Sequence, residues 1–385
     1  MTTYTLGEDI YPKLSWFKQE RVTAARVMVV GCGALGNEVL KNLALFGVGH
    51  IVIVDFDRVE QSNLSRSVLF SSQDAAAGRQ KAAAAAERIR QMNSAADVRA
   101  ICGDIAYDVG LGLIRQMDVI IGCVDNRWAR YCINRLCMRA GKPWVDGGID
   151  GLEGTARVFM PGENCYACNL GPEGLKEMRH RLSCANIIRR NEAAERVPTT
   201  PVIASVIGAV EAQEAMKLIH GDEMEQGELT SLCGKMFCYE GQHLTTRLVS
   251  FKAYDADCPV HEQWAPVEKT ELTVHCSVGE ALNQMAKELQ TDEVSFSLTA
   301  DCFVDWIARR DNDQRIKVML PGRHVASQGV PADMPSEAFY QHEFREIDKD
   351  FPYRELTLAQ LGIPDEDVLW VHTGDGDRYL QLKNY

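Results

Sequence analysis

Three groups of residues in this chain have the types and spacing to do chemistry. The first is a glycine-rich turn, Gly31-Cys32-Gly33-Ala34-Leu35-Gly36, entered straight from the apolar run Val27–Val30 and leading into a helical pattern. Glycines in such a turn let backbone approach a phosphate, and the helix start offers unpaired N–H groups at the positive end of its dipole. The turn serves nicotinamide and flavin cofactors as readily as ATP. So does Asp55, at the end of the next apolar run, whose carboxylate suits a ribose hydroxyl. The second group breaks the tie: Asp57, Asn63 and Arg66 come closely after it, then Lys81, then Asp125-Asn126. A nicotinamide-dependent oxidoreductase has no evident use for a second acid, an Asn, an Arg and a Lys around its cofactor, whereas nucleotidyl transfer does. Arg66 and Lys81 suit triphosphate oxygens, Asn63 can orient them, and Asp57 or Asp125 offers Mg2+ the hard oxygen it prefers.

The third group is built of cysteine and histidine. Cys165-x-x-Cys168 is answered roughly 90 residues later by Cys258-x-x-His261. Four N/S ligands of this kind complete a closed tetrahedral zinc site, which is structural rather than catalytic. Between the two halves lies Cys184, in a charged stretch (about 169–200) that carries Arg179, His180, Arg181, Arg189 and Arg190 and leads to Arg196-Val197-Pro198-Thr199-Thr200-Pro201. Such surroundings favour a thiolate electrostatically, and a charged loop exposes it, so Cys184 is the candidate nucleophile. Cys32, Cys102, Cys123, Cys132 and Cys137, inside apolar patterns, read as packing residues, with Cys233 and Cys238 weaker candidates beside a strand.

These residues need a scaffold, and the hydrophobic pattern supplies one. Short β-branched runs at Val27–Val30, Ile51–Val54, Val98–Ile101, Val119–Ile121 and Trp144–Val145 alternate with helical stretches Ala34–Phe46, Gly78–Met92 and Arg127–Ala140. That alternation makes an α/β, Rossmann-like doubly wound sheet. Beyond a strand at Val158–Met160, the stretch Asn169–Arg196 reads as irregular, Val202–Ile219 as a helix, and Met236–Tyr239 and Thr246–Phe251 as strands. Pro259 and Pro266 mark a boundary, so a first domain is placed at 1–267 and a smaller α+β domain at 268–385, opening with a strand Glu271–Cys276 and a helix Val278–Leu289.

Composition narrows the partners. The 385 residues hold 41 Lys plus Arg against 54 Asp plus Glu, a net charge of -13, which argues against nucleic acid as the principal partner. No run approaches the roughly 20 apolar residues of a membrane helix, and the N-terminus lacks a signal pattern. Thirteen cysteines, an odd number without such a signal, fit reduced thiols or ligands, and a cytoplasmic location is expected.

Taken in order, GCGALG, DFDRVEQSNLSRSVLF, GRQK and CVDN resemble the adenylation domain of the ThiF–MoeB superfamily, shared by ubiquitin-activating enzymes and bacterial relatives that activate sulfur-carrier proteins. The resemblance covers about residues 10–265. It implies that Gly31, Gly33, Gly36, Asp55, Asp57, Asn63, Arg66, Lys81, Asp125 and Asn126 bind ATP and Mg2+, with Arg66, Lys81 and Asp125 acting in the reaction. It also implies a ubiquitin-like protein ending in Gly as partner, a homodimer, and Cys184 as the thioester residue. The family's N-terminal Arg-bearing segment is replaced here by Trp16-Phe17-Lys18-Gln19-Glu20-Arg21, leaving open whether Lys18 or Arg21 substitutes. The stretch Glu355–Ile363 with Val368–Val371 and Tyr379–Leu382 resembles the ubiquitin-fold domain by which activating enzymes recruit a conjugating enzyme. An adenylyltransferase that stops at the adenylate of a sulfur carrier is the first alternative, a nicotinamide-dependent oxidoreductase or a degenerate binding module is the second, and the likeness to bacterial activators suggests antiphage conjugation as a setting.

Overall fold

The computed structural model describes residues 10–182, 198–221, 224, 226–251, 254–309, 315–324 and 338–384. Its elements run α1 (Gln19–Ala24), β1 (Arg26–Val30), α2 (Ala34–Phe46), β2 (His50–Val54), α3 (Ser72–Ala76), α4 (Lys81–Met92), β3 (Asp97–Ile101), α5 (Leu111–Arg115), β4 (Val119–Gly122) and α6 (Arg127–Ala140). Then come β5 (Trp144–Asp150), β6 (Glu153–Phe159), α7 (Gly171–Leu182), α8 (Pro201–Ile219), β7 (Lys235–Glu240) and β8 (Thr245–Ser250).

Strands β1 to β8 form one sheet in the order β3-β2-β1-β4-β5-β6-β7-β8. β3 through β5 run parallel, and β6, β7 and β8 add on antiparallel. The strand order reverses between β1 and β4, and a crevice at such a reversal is where open α/β sheets bind ligands. Val27, Met28, Val29 and Val30 are all buried, as a strand covered on both faces requires. Leu40, Leu43, Ile51, Ile53, Ile89, Ile121 and Ile207 fill the core around them, each burial contributing roughly 1.5–3 kcal/mol. Side-chain caps fix two helix starts: the Asn126 oxygen accepts from the Ala129 N–H, and the Thr200 hydroxyl accepts from the Ile203 N–H ahead of Pro201.

The chain divides into two compact units. One gathers the described parts of 10–105, 114–169 and 198–263; the other gathers those of 106–113, 170–182 and 264–384. The second unit holds β9 (Val267–Lys269), α9 (Val278–Leu289), β10 (Val294–Ser297), β11 (Phe303–Arg309), β12 (Arg315–Pro321), β13 (Ala338–Phe344), β14 (Glu346–Ile347), β15 (Val368–Thr373) and β16 (Gly376–Gln381). Five strands make a mixed sheet in the order β14-β10-β15-β16-β9, and β12-β11-β13 make a second. A reciprocal Ser277–Glu280 capping box starts α9, whose Val278, Ala281, Leu282 and Met285 pack with Phe296, Val371 and Leu380.

Four expectations change, the first being Cys102, which lies just past the end of β3 and is exposed rather than packed. Asn169–Arg196 is not irregular from end to end: Gly171–Leu182 is helical, and Leu175, Met178 and Leu182 give it the helical apolar spacing that its charges hide. Glu271–Cys276 is not a strand. Leu272 and Val274 do point inward, but the chain turns toward α9, and its carbonyls are met singly, as by the Lys383 and Ala359 N–H groups. The helix placed at Gly78–Met92 starts at Lys81, because Gly78 lies at φ +55° and Gln80 is extended. No described helix is long and apolar enough to cross a membrane.

Candidate functional site

The glycine turn leaves β1 at the strand-order reversal. Gly31 has φ +90°, and a Cβ there would stand 2.5 Å from the Cys123 carbonyl oxygen; one at Gly36 would overlap the Gly31 carbonyl. These two positions are glycine because the protein's own backbone occupies the space. Gly33 differs. Nothing lies within 4 Å of the Cβ it lacks, so its openness is available to something arriving at the N-terminus of α2.

Asp55 is locked against this turn: Cys32 N–H donates to its Oδ2 at 2.6 Å and Asp57 N–H to its Oδ1 at 2.8 Å. Burial raises its carboxyl above the ordinary range, opposed by the Lys81 ammonium and the two N–H groups. Lys81, at the first residue of α4, places Nζ 2.7 Å from Asp57 Oδ2 while its side chain stays 11% exposed. Its backbone N–H donates to the Asp57 carbonyl, so the two chain segments are tied twice. Asn63 is buried and accepts from the Glu60 N–H; Arg66, half-buried, donates to the Ser62 carbonyl at 2.9 Å. Asp125 is exposed just beyond β4, and Asn126 between it and α6 donates to Asp125 while capping the helix. Gly31, Gly33, Asp55, Asp57 and Asp125 therefore sit at the carboxyl ends of β1, β2 and β4 or on the loops beyond them, and Lys81 reaches Asp57 from the first residue of α4. Of the replacement N-terminal segment, Lys18 caps α1 and donates its N–H to His220 Nε2 at 3.0 Å, and Trp16 and Phe17 pack on that ring.

A second buried cluster escapes sequence reasoning. Asp146 of β5 is fully buried, with Arg130 Nε at 2.8 Å from Oδ1 and the Arg157 guanidinium on Oδ2. Glu211 of α8 is fully buried as well, against Gly147 and 3.8–3.9 Å from Cys123 Sγ, and burial holds its carboxyl well above the carboxylate range. The available signal was an acid inside the apolar helix Val202–Ile219 and an arginine inside an apolar strand. Neither names its partner without the fold.

The ligand atoms of Cys165, Cys168, Cys258 and His261 lie within 4.8 Å of one another. Cys165 Sγ is 3.8 Å from Cys258 Sγ and 3.6 Å from Cys168 Sγ, and Cys168 Sγ is 3.2 Å from His261 Nε2. Thiolates on a tetrahedral ion with bonds of about 2.3 Å stand about 3.8 Å apart, so the donor set fits a zinc-like cation. A hydrogen bond from the Cys258 thiol lowers Cys165 to about 5, so one thiolate is already favoured. Cys184, Arg189 and Arg190 lie outside the described residues, and α7 ends at Leu182.

A model of the ThiF family matches residues 8–260. The chain belongs to the ThiF family. Among curated proteins, this ThiF-family chain is 33% identical over 242 residues to the SAMP-activating enzyme E1 of Haloferax volcanii, covering 63% of this chain and 82% of that protein. It is 32% identical over 263 residues to the adenylyltransferase and sulfurtransferase MOCS3 of Mus musculus, covering 68% of this chain and 53% of the mouse protein. The chain thus spans about half the length of the MOCS3 protein it matches. A crystal structure of E. coli MccB with succinimide shares the fold, at a TM-score of 0.50 and 23% identity, over 63% of this chain and 68% of that one.

Proposed function

We propose that this chain activates a ubiquitin-like protein with ATP, first as an acyl-adenylate and then as a thioester. One carboxylate oxygen of the carrier's terminal glycine attacks the α-phosphorus, the bond to the bridging oxygen breaks, and pyrophosphate leaves with the electron pair. The Cys184 thiolate then attacks the acyl carbon and AMP departs. What carries the reading is the Lys81–Asp57 contact beside Asp55, which the Cys32 N–H anchors to the glycine turn next to the open position Gly33. Phosphate approaches the N-terminus of α2, Asp55 takes the ribose, and Lys81 with Arg66 neutralises the triphosphate. Asp57 or Asp125 would help hold Mg2+, which neutralises phosphate charge. Cys165, Cys168, Cys258 and His261 would hold a structural zinc. Pyrophosphate exchange that appears only on adding a ubiquitin-like protein ending in Gly tests the adenylation step.

The wider assembly belongs to the same proposal: a cytoplasmic homodimer whose 268–385 portion acts as a ubiquitin-fold domain, receives a conjugating enzyme and passes the carrier on, in antiphage conjugation. A second reading has support in the mouse relative, which is named both adenylyltransferase and sulfurtransferase. On it, the reaction stops at the adenylate and a sulfur donor takes over. Cys184→Ala separates the two. Pyrophosphate exchange is expected to persist within about twofold, while the thiol-reducible carrier band on a non-reducing gel disappears. A reducible band that survives the substitution contradicts the assignment of Cys184.

A further inference from the structure

The buried cluster sets two arginines against one carboxylate. Val30, Gly122, Asp146 and Arg157 form one row across β1, β4, β5 and β6, so the cluster lies level with the start of the glycine turn. At a strand spacing of about 4.8 Å, Asp146 is on the order of 10 Å from Val30, which long guanidinium side chains can bridge. Arg130 projects from the first turn of α6, five residues after Asp125, and also donates to the Gly147 carbonyl at 2.9 Å. Both arginines keep partial access to solvent, 13% for Arg130 and 18% for Arg157, while Asp146 has none.

We propose that Arg130 and Arg157, which share the single carboxylate of Asp146, recognise the terminal carboxylate of the incoming protein tail before it is adenylated. This rests on the activation reading above. Two guanidinium groups against one carboxylate leave one positive charge over. Glu211 of α8 is the buried acid that packs beside this pair, against Gly147. It has no exposure, and burial together with Asp146 raises its carboxyl well above the carboxylate range, against the pull of Arg130 and of the Cys123 thiol that donates to it, so its surroundings work against the charged form that would offset the surplus. A buried surplus charge beside a ligand crevice is costly unless an anion completes it. A carboxylate bound by guanidinium forks is held flat and oriented, as attack on phosphorus demands. The same charge could draw a phosphate of ATP, and the test separates the two anions.

The probes are a decapeptide ending in Gly-Gly as the free acid, the same peptide as its C-terminal amide, and a non-hydrolysable ATP analogue. Binding is measured by calorimetry on the full chain. The free acid is expected to bind at least about tenfold tighter than the amide in the presence of the ATP analogue, the usual worth of a hydrogen bond to a charged group. Arg157→Met, which leaves Asp146 paired with Arg130, is expected to erase that preference without changing affinity for the analogue. Adding Asp146→Asn to it restores the surplus charge on Arg130 and should return the preference, a recovery that a merely structural ion pair would not show. Glu211→Gln should keep it. Equal binding of acid and amide by the unaltered protein, a preference that survives Arg157→Met, no recovery in the double variant, or weakened binding of the ATP analogue by Arg157→Met overturns the assignment to the tail carboxylate. Failure of the unaltered protein to bind the ATP analogue overturns the activation reading instead.

Discussion

Lys81→Ala is expected to lower carrier-dependent pyrophosphate exchange by about 10²–10³-fold, the range seen when one preorganised charge-stabilising group is lost. Nζ is held 2.7 Å from Asp57 on a nearly buried side chain, so the ammonium is positioned before any nucleotide arrives and costs no reorganisation at the moment of reaction. Removing it has a second consequence. Asp57 loses its cation, Asp55 loses the charge that opposes its burial, and the pocket that must take a triphosphate gains unbalanced negative charge. Lys81→Arg keeps the charge but not the point-like geometry, and should retain part of the rate. An exchange rate in Lys81→Ala within twofold of the unaltered protein would remove Lys81 from the site.

Metal removal should have the largest effect on stability. Coordination at a structural zinc is worth on the order of 10 kcal/mol, as much as the whole net stability of an ordinary domain. The four ligands join a segment just after β6 to one some 90 residues later, so the cation would close a long loop. A strong chelator, or Cys258→Ser, is therefore expected to lower the melting temperature sharply, and the purified protein should carry about one zinc per chain. Metal analysis with scanning calorimetry checks both. Absence of metal together with an unchanged melting temperature after chelation would sink the zinc assignment.

How much of this was legible in the sequence depends on the distance over which each feature is determined. β1, β2 and α2 are set by local hydrophobic period and by the glycine turn, and α2 and α6 have the bounds read from the pattern, Ala34–Phe46 and Arg127–Ala140. The end of β2, just before Asp55, is a position that the local pattern marks, whereas the start of α4 at Lys81 is not, because the helical pattern runs back to Gly78. α7 was missed because charge outweighs its three apolar residues on inspection, though Met178 is fully buried. Glu271–Cys276 shows the converse failure. Its inward Leu272 and Val274 satisfy a strand's alternation without a strand's ladder, because the chain must turn into α9 directly after Cys276. The Arg130–Asp146–Arg157 cluster and Glu211 were invisible because their partners come from α6, β5, β6 and α8, joined only by tertiary folding.

Calorimetric titration with MgATP and with NAD+ bears most directly on what the strand-end residues are for. MgATP is expected to bind the unaltered protein, with affinity lost in Lys81→Ala, and NAD+ is expected not to bind. Tight binding of NAD+ or NADH with none of MgATP would contradict nucleotidyl transfer at this site.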